Sequence, residues 1–136
     1  MVNKVFFGPC TIQFDAVDLG KTVNGVSINI NEHDEVVECI NETFNINYIS
    51  AVTGVIHKFE IEDLGVFDTL VKNNTPGILT FNGSSFIVTI TNAYLKFPSS
   101  FSIGVNNLNP FDLRFFAGRD DSIHSDANPI IKIETV

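Results

Sequence analysis

The residues able to carry chemistry are three histidines, two cysteines and scattered carboxylates. His33 lies beside Asp34 and Glu35, but no second histidine follows at the spacing of a metal site, so an acidic loop is the preferred interpretation. His57 alternates with apolar residues, which favours a half-buried, hydrogen-bonded histidine over a general base. His124 lies in the acid-rich segment 120–126, which lacks the glycine and terminal glutamate of an EF-hand and is therefore interpreted as a solvated loop.

The remaining candidates also lack a catalytic arrangement. Cys10 and Cys39 are too far apart in sequence for a C-x-x-C metal or redox motif, so both are interpreted as small buried apolar residues. Asp15 and Asp18 have the residue types of a glycosidase carboxylate pair, but their turn-like context favours hydrogen bonds to backbone amides. No G-x-S-x-G, Cys–His pair or phosphate-binding glycine loop occurs. The sequence predicts no catalytic residue, metal or cofactor, and hence no enzyme.

Length and composition indicate one β-rich domain over residues 1–136. Hydrophobic residues make up 44% and charged residues 18%, and 13 Phe stand against 2 Tyr and no Trp. This balance favours sheets with much covered surface, part of it covered by neighbouring copies. The mean hydropathy of +0.20 points the same way.

The charge balance limits the partners. Eight basic against 16 acidic side chains give a net charge of −8. This charge argues against a protein that binds nucleic acid tightly, although DNA could still slide past it. No run of 18 apolar residues predicts a membrane span. Residues 1–7 are too short and polar for a signal peptide, so we expect assembly in the cytoplasm.

Periodicity predicts a mainly β fold, a sandwich or barrel of about eight or nine strands with one short flanking α-helix. The turn region 15–20 separates the first two strands, and Asn82-Gly83 forms a hairpin turn. A bend or bulge is expected at Gly54 and a bulge at Asn92. The helix is expected over 63–73, where apolar residues recur on one stripe. The strands are expected over 11–14, 26–30, 36–40, 44–49, 53–62, 78–82, 86–97, 101–103, 111–116 and 130–136. Alternation places Val55, His57 and Phe59 on one face of their strand and Ile56 on the other. It also places Phe111, Leu113 and Phe115 inward.

The opening third carries a recognisable order of residues. Gly8-Pro9 leads into a short strand, and a turn and a second strand follow, marked by Phe14-Asp15, Asp18-Leu19-Gly20, Thr22 and Gly25-Val26. This order resembles the N-terminal region of phage tail tube proteins. Ala16 stands where that family usually has a second turn glycine, and Asn24-Gly25 stands where it has Gly-Gly. The resemblance is sharp over about the first thirty residues and extends to the rest only in the order of elements.

The resemblance implies a structural subunit of a tail tube. Copies would form rings, hexameric by the resemblance, stacked around a hollow lumen through which DNA passes without specific binding. Expected partners are other copies of the chain and sheath or other tail proteins. The expected location is the virion tail, assembled in the host cytoplasm, with no membrane involved.

Two sets of residues are candidates for the tube's surfaces. An acidic or neutral lumen would let DNA slide, and the polar sides of the strong strands are its candidate wall: Ser27, Asn29, Asn31, Lys58, Glu60 and Glu62. In the family the long connection after the second strand reaches the neighbouring ring, so the hairpin within 32–53 is expected to project. Contacts between rings are expected from this segment, from residues 1–7 and from the C-terminal strand, with candidates Phe6, Phe7, Phe44, Ile46, Tyr48 and Ile49.

Alternatives to the DNA-carrying tube stay open. The same subunit would serve a contractile tail, a non-contractile tail or a genome-free contractile injection particle derived from a phage. A monomeric carbohydrate-binding β-sandwich is a second class, but it is expected to carry exposed Trp and Tyr, and this chain has no Trp and 2 Tyr.

Overall fold

A computed structural model describes residues 2–40, 42–61, 65, 75–96, 109–125 and 127–136. For Val2, Asn3, Glu35, Val37, Cys39, Phe44, Asn45 and Ile46 it describes the backbone. The described part is mainly β, with nine strands: β1 (Val2–Phe7), β2 (Cys10–Phe14), β3 (Val17–Thr22), β4 (Val26–Cys39), β5 (Glu42–Ile61), β6 (Gly77–Asn82), β7 (Phe86–Lys96), β8 (Phe111–Gly118) and β9 (Ile131–Thr135).

Six of the strands close into an antiparallel barrel. The hydrogen-bonded order runs β5, β3, β2, β6, β7, β8 and back to β5. β4 continues the sheet from β5 and β1 pairs with β4, while β9 pairs with β7. The mainly β prediction is therefore confirmed, in its barrel form.

The barrel interior is filled by alternate side chains of these strands. Phe59 and Phe81 are fully buried, and the Phe81 ring packs 5.6 Å from that of Phe115, centroid to centroid. Burying a side chain of this size stabilises a fold by about 1.5–3 kcal/mol. The other apolar residues buried to 2% exposure or less are Ile12, Leu19, Val26, Ile28, Val52, Ile56, Leu79, Val88, Ile90, Ala93, Leu113, Phe115, Ala117 and Ile130.

The turn between β2 and β3 is shorter than the sequence predicts. Asp15 and Ala16 alone form it, with φ of 52° and 67°, and β3 already begins at Val17. Two successive residues with positive φ match the right-handed twist of the flanking strands, as in a type I′ hairpin. The predicted connection over 15–20 is thus wrong, because residues 17–20 belong to β3, which pairs with β2 with one register shift between Ile12 and Gln13.

A second break separates β3 from β4, which both lie along β5. The buried Thr22 hydroxyl accepts the Gly25 N–H at 3.2 Å and donates to the His57 carbonyl. Gly25 has a φ of 94°, and an added Cβ would meet the Phe6 ring at 2.9 Å. The Thr22 hydroxyl and Gly25 together let the chain pass from β3 to β4 without leaving these buried polar groups unpaired.

The alternation along β5 changes phase at a bulge. Lys58 has a φ of 50°, and the pairing with β8 shifts between Ile56 and Phe59. Ile56 and Phe59 therefore both point inward, and Val55 and His57 do not share the face of Phe59 as the sequence predicted. The bulge predicted at Gly54 is also wrong, because Gly54 pairs regularly with Ile28 and Phe115.

Other local predictions are confirmed. β6 and β7 form the expected hairpin, but its turn lies one residue later than predicted: Asn82 pairs with Ile87, and the Gly83 N–H donates to the Phe86 carbonyl at 2.9 Å. Asn92 has a φ of 59°, beside a register shift between β6 and β7, which is the predicted bulge. Leu113 and Phe115 point inward from β8.

Two predicted elements fall outside the described residues. The helix over 63–73 lies there except for Gly65, and no flanking helix is seen in the part of the chain that the structure describes. The strand over 101–103 lies there as well. No helix among the described residues is long and apolar enough to cross a membrane.

Candidate functional site

The most distinctive surface is a two-stranded extension of β4 and β5, residues 32–49, which we name the arm. β1 pairs with β4 no further than Asn31, and β8 pairs with β5 no further than Ala51. From Glu32 opposite Ile49 to Cys39 opposite Glu42, the arm's strands pair, among the described residues, only with each other. The predicted hairpin is therefore present, and it extends past the strands that flank its base.

The arm exposes both charge and apolar surface. Asp34 and Glu38 are exposed on β4, and Val36 between them is 61% exposed. Ile40 at the tip is 98% exposed. The register sets Val37 opposite Phe44 and Glu35 opposite Ile46. A two-stranded ribbon of such residues is marginally stable alone in water.

The base of the arm is held by the segment that follows β8. The Arg119 guanidinium lies 4.8 Å from the centroid of the Tyr48 ring. The backbone N–H of Arg119 donates to the Ser50 carbonyl at 3.0 Å. The His33 ring lies 5.1 Å from the same tyrosine ring. Sequence reasoning missed Arg119, because no local pattern links it to a residue 71 positions earlier.

The predicted lumen residues lie on the outer face of the sheet, opposite the core. Ser27, Asn29 and Asn31 alternate with buried residues on β4 and are half-buried. Lys58 is exposed beyond the β5 bulge, and Glu60 forms an ion pair with Lys21 of β3 at 3.9 Å. Glu62 lies outside the described residues.

The predicted ring-contact residues divide into different environments. Phe6 is 65% exposed, whereas the Phe7 ring packs on Phe81 and Phe86 at 5.4 and 4.9 Å, so Phe7 belongs to the core's margin. Tyr48 and Ile49 are half-buried at the arm's base. The side chains of Phe44 and Ile46 lie outside what the structure describes.

A second outward surface lies on β7 and β8. Tyr94 stands opposite Phe116 and Lys96 opposite Arg114, and we name these four residues the aromatic–cationic patch. The two rings are 38% and 48% exposed, and both cations are exposed. Sequence reasoning missed this patch, although alternation with the buried Leu113, Phe115 and Leu95 was the signal that could have placed its members outward.

The histidines are accounted for by local hydrogen bonds. His57 Nε2 lies 2.7 Å from Ser27 Oγ, a nucleophile–base distance, but no described carboxylate orients the ring. His124, expected in a solvated loop, is only 2% exposed. Its Nδ1 accepts the Asp120 N–H at 2.9 Å and its Nε2 lies 2.8 Å from Thr91 Oγ1. The solvated-loop interpretation of His124 is therefore wrong.

The turn carboxylates Asp15 and Asp18 and the Cys10 thiol are also structural. Asp15 Oδ1 accepts the Ile78 N–H at 2.8 Å, and Asp18 accepts from Gln13 Nε2 at 2.8 Å. Cys10 is buried as predicted, and burial raises the pKa of its thiol to about 11, which disfavours the reactive thiolate. Among the described residues no group of three or more His, Cys, Asp or Glu could hold a metal ion.

Comparisons with protein-family models, with curated proteins and with solved structures found no match to this chain. The features of the described structure that bear on function are the arm, the open sheet edges and the outward faces.

Proposed function

We propose that the chain is a structural subunit of a phage-type tail tube, whose copies form rings that stack around a hollow lumen. The observation that carries the proposal is the arm, which pairs with no other strand in the described part of the chain and exposes Val36 and Ile40. A ribbon of this kind gains stability when another surface covers it. A neighbouring copy supplies that cover in a stack of identical rings.

The sheet edges support the same proposal. In the described part of the chain β1 pairs only with β4, and β9 pairs only with β7. Such edges present unpaired backbone groups, and exposed apolar residues accompany them, Phe6 on β1 and Ile133 on β9. Pairing unlike edges of successive copies is a heterologous contact, which closes into a ring when the rotation permits.

The lumen wall is proposed on the outer face that carries Ser27, Asn29 and Asn31. These side chains are uncharged, and the neighbouring Glu60 is paired with Lys21. A wall with little net positive charge does not hold DNA phosphates, so the polymer can slide. The proposed location is the virion tail, with sheath or other tail proteins outside the tube. A genome-free injection particle would use the same subunit.

One observation favours a second function, a monomeric binding module. Tyr94 and Phe116 form an exposed aromatic pair on a sheet face, a surface on which a sugar ring could stack. This module would work as an isolated barrel and would not need its arm.

Electron microscopy of the purified chain, with sedimentation over a range of concentrations, separates the two functions. The tube predicts rings or rods. Replacing Val36 and Ile40 by Asp would abolish the rings or rods, and replacing Val17 and Val23, which are also exposed but lie outside the arm, by Asp would not. A 15.0 kDa monomer at every concentration, with both double variants behaving alike, would reject the tube.

A further inference from the structure

The aromatic–cationic patch brings two like charges together without a described counter-ion. Lys96 and Arg114 stand directly opposite each other on neighbouring strands. Like charges in this relation destabilise a sheet. Neither forms an ion pair with a described residue. The pair is thus a site where an added carboxylate would be favourable.

The exposed aromatic pair continues the patch by one step along the strands. Tyr94 and Phe116 lie two residues from Lys96 and Arg114 on the same outward face, a separation of about 7 Å along each strand. The patch therefore offers a cationic row beside an apolar row. A matching partner carries a carboxylate and an apolar side chain at the same separation.

The arm has this pattern. Asp34, Val36 and Glu38 alternate along β4, and all three are exposed. Since neighbouring same-face residues of a strand are also about 7 Å apart, a carboxylate can meet the cationic row while Val36 lies over the rings. Five of the chain's 16 acidic residues lie in the arm, whereas Lys96 and Arg114, which form no ion pair with a described residue, lie on another surface.

We infer that the aromatic–cationic patch of one copy receives the Asp34–Val36–Glu38 row of a second copy's arm. The inference rests on the proposed assembly of copies and names the surface that the arm contacts. The arm's own barrel is not the acceptor, because the arm's strands continue past the end of β8 and, within the described ranges, pair only with each other. A nucleic acid fits less well, because a chain of net charge −8 offers only two cations here.

Charge reversal on each side gives a test with an internal rescue. One variant carries Lys96→Glu and Arg114→Glu, and the other carries Asp34→Lys and Glu38→Lys. Each alone places like charges at the contact, and we expect its self-association to weaken about tenfold or more. Mixed together, the two variants regain opposite charges at every contact and should assemble as the wild type does.

The control for the Lys96→Glu and Arg114→Glu variant is the double variant Lys21→Glu and Lys58→Glu, which makes the same change in net charge at residues outside the arm, the patch and the β1 and β9 edges. Circular dichroism of each variant establishes that the barrel is folded. Rings or rods that form equally well with all variants would overturn the inference and leave the tube standing, whereas a wild type that never associates would overturn both. If the Lys96→Glu and Arg114→Glu variant assembles as the wild type does but no longer binds a fluorescent single-stranded oligonucleotide that the wild type binds, the patch would be assigned to nucleic acid instead.

Discussion

The guanidinium of Arg119 lies 4.8 Å from the centroid of the Tyr48 ring and joins the segment after β8 to the base of the arm. The Arg119 Nε also donates to Asp121 Oδ1 at 2.8 Å, which fixes the plane of the guanidinium. None of the other described strands lies beside those of the arm, so this contact helps to set the direction in which the arm leaves the barrel.

Arg119→Ala should loosen the arm's base without unfolding the barrel. A cation–π contact of a partly exposed arginine contributes about 0.5–2 kcal/mol. We expect faster amide hydrogen exchange over residues 42–49, measured by mass spectrometry, while exchange in β6 and β7 stays unchanged. Arg119→Lys, which keeps the cation, should fall between the two. Equal exchange in the arm of all three proteins would contradict this role.

Thr22→Val should destabilise the fold although it preserves the side chain's shape. The valine cannot accept the Gly25 N–H or donate to the His57 carbonyl, and leaving such buried groups unpaired costs about 1–3 kcal/mol. Urea denaturation measures the loss. Thr22→Ser keeps the hydroxyl and should recover most of the stability. Thr53→Val, on the half-buried outer face, is the control and should change the midpoint little.

Ala16→Gly should stabilise the protein. Ala16 has a φ of 67°, a left-handed conformation that costs an L-residue about 1–2 kcal/mol. Glycine relieves this cost but gains freedom in the unfolded chain, so the expected net gain is below about 1 kcal/mol. Thermal unfolding measures it against Ala51→Gly, which lies within β5 and should destabilise. A lower melting temperature for Ala16→Gly would show that the turn carries no strain.

Asp120→Asn should be destabilising at neutral pH and less so in acid. The hydroxyl and N–H of Ser122 donate to Asp120 Oδ1 at 2.7 and 3.0 Å, and these bonds lower the pKa of the carboxyl from its ordinary 3.8. A lowered folded-state pKa contributes stability above the unfolded value, and this contribution is lost as the pH falls through the folded value.

The measurement for Asp120 is the difference in urea midpoint between wild type and variant as the pH is lowered from neutral. The difference should narrow in the acid range, where the wild-type carboxyl becomes protonated. Asp34→Asn, an exposed arm residue, serves as control. A difference that stays constant down to acid pH would show that the carboxylate's charge is not what Ser122 recognises.

Alternation within single strands was enough to predict much of the fold. Ile12 and Phe14 on β2, Val26 and Ile28 on β4, and Leu113 and Phe115 on β8 all point inward as the period of two requires. The arm was likewise predictable as a hairpin, because two strand-like runs flank a short polar break. These features depend on residues close in sequence, where backbone geometry leaves few options.

The tertiary structure decided which residues of distant segments lie next to one another. The Lys58 bulge reverses the alternation on β5, so it moved Ile56 inward against the sequence-based expectation. His124 is buried because β7 presents Thr91 to it, and Lys96 meets Arg114 only through the pairing of β7 with β8. The sequence determined which faces are apolar, since that is a local periodicity. Barrel closure alone determined which outward side chains meet, because register between strands is set by the packing of the whole sheet.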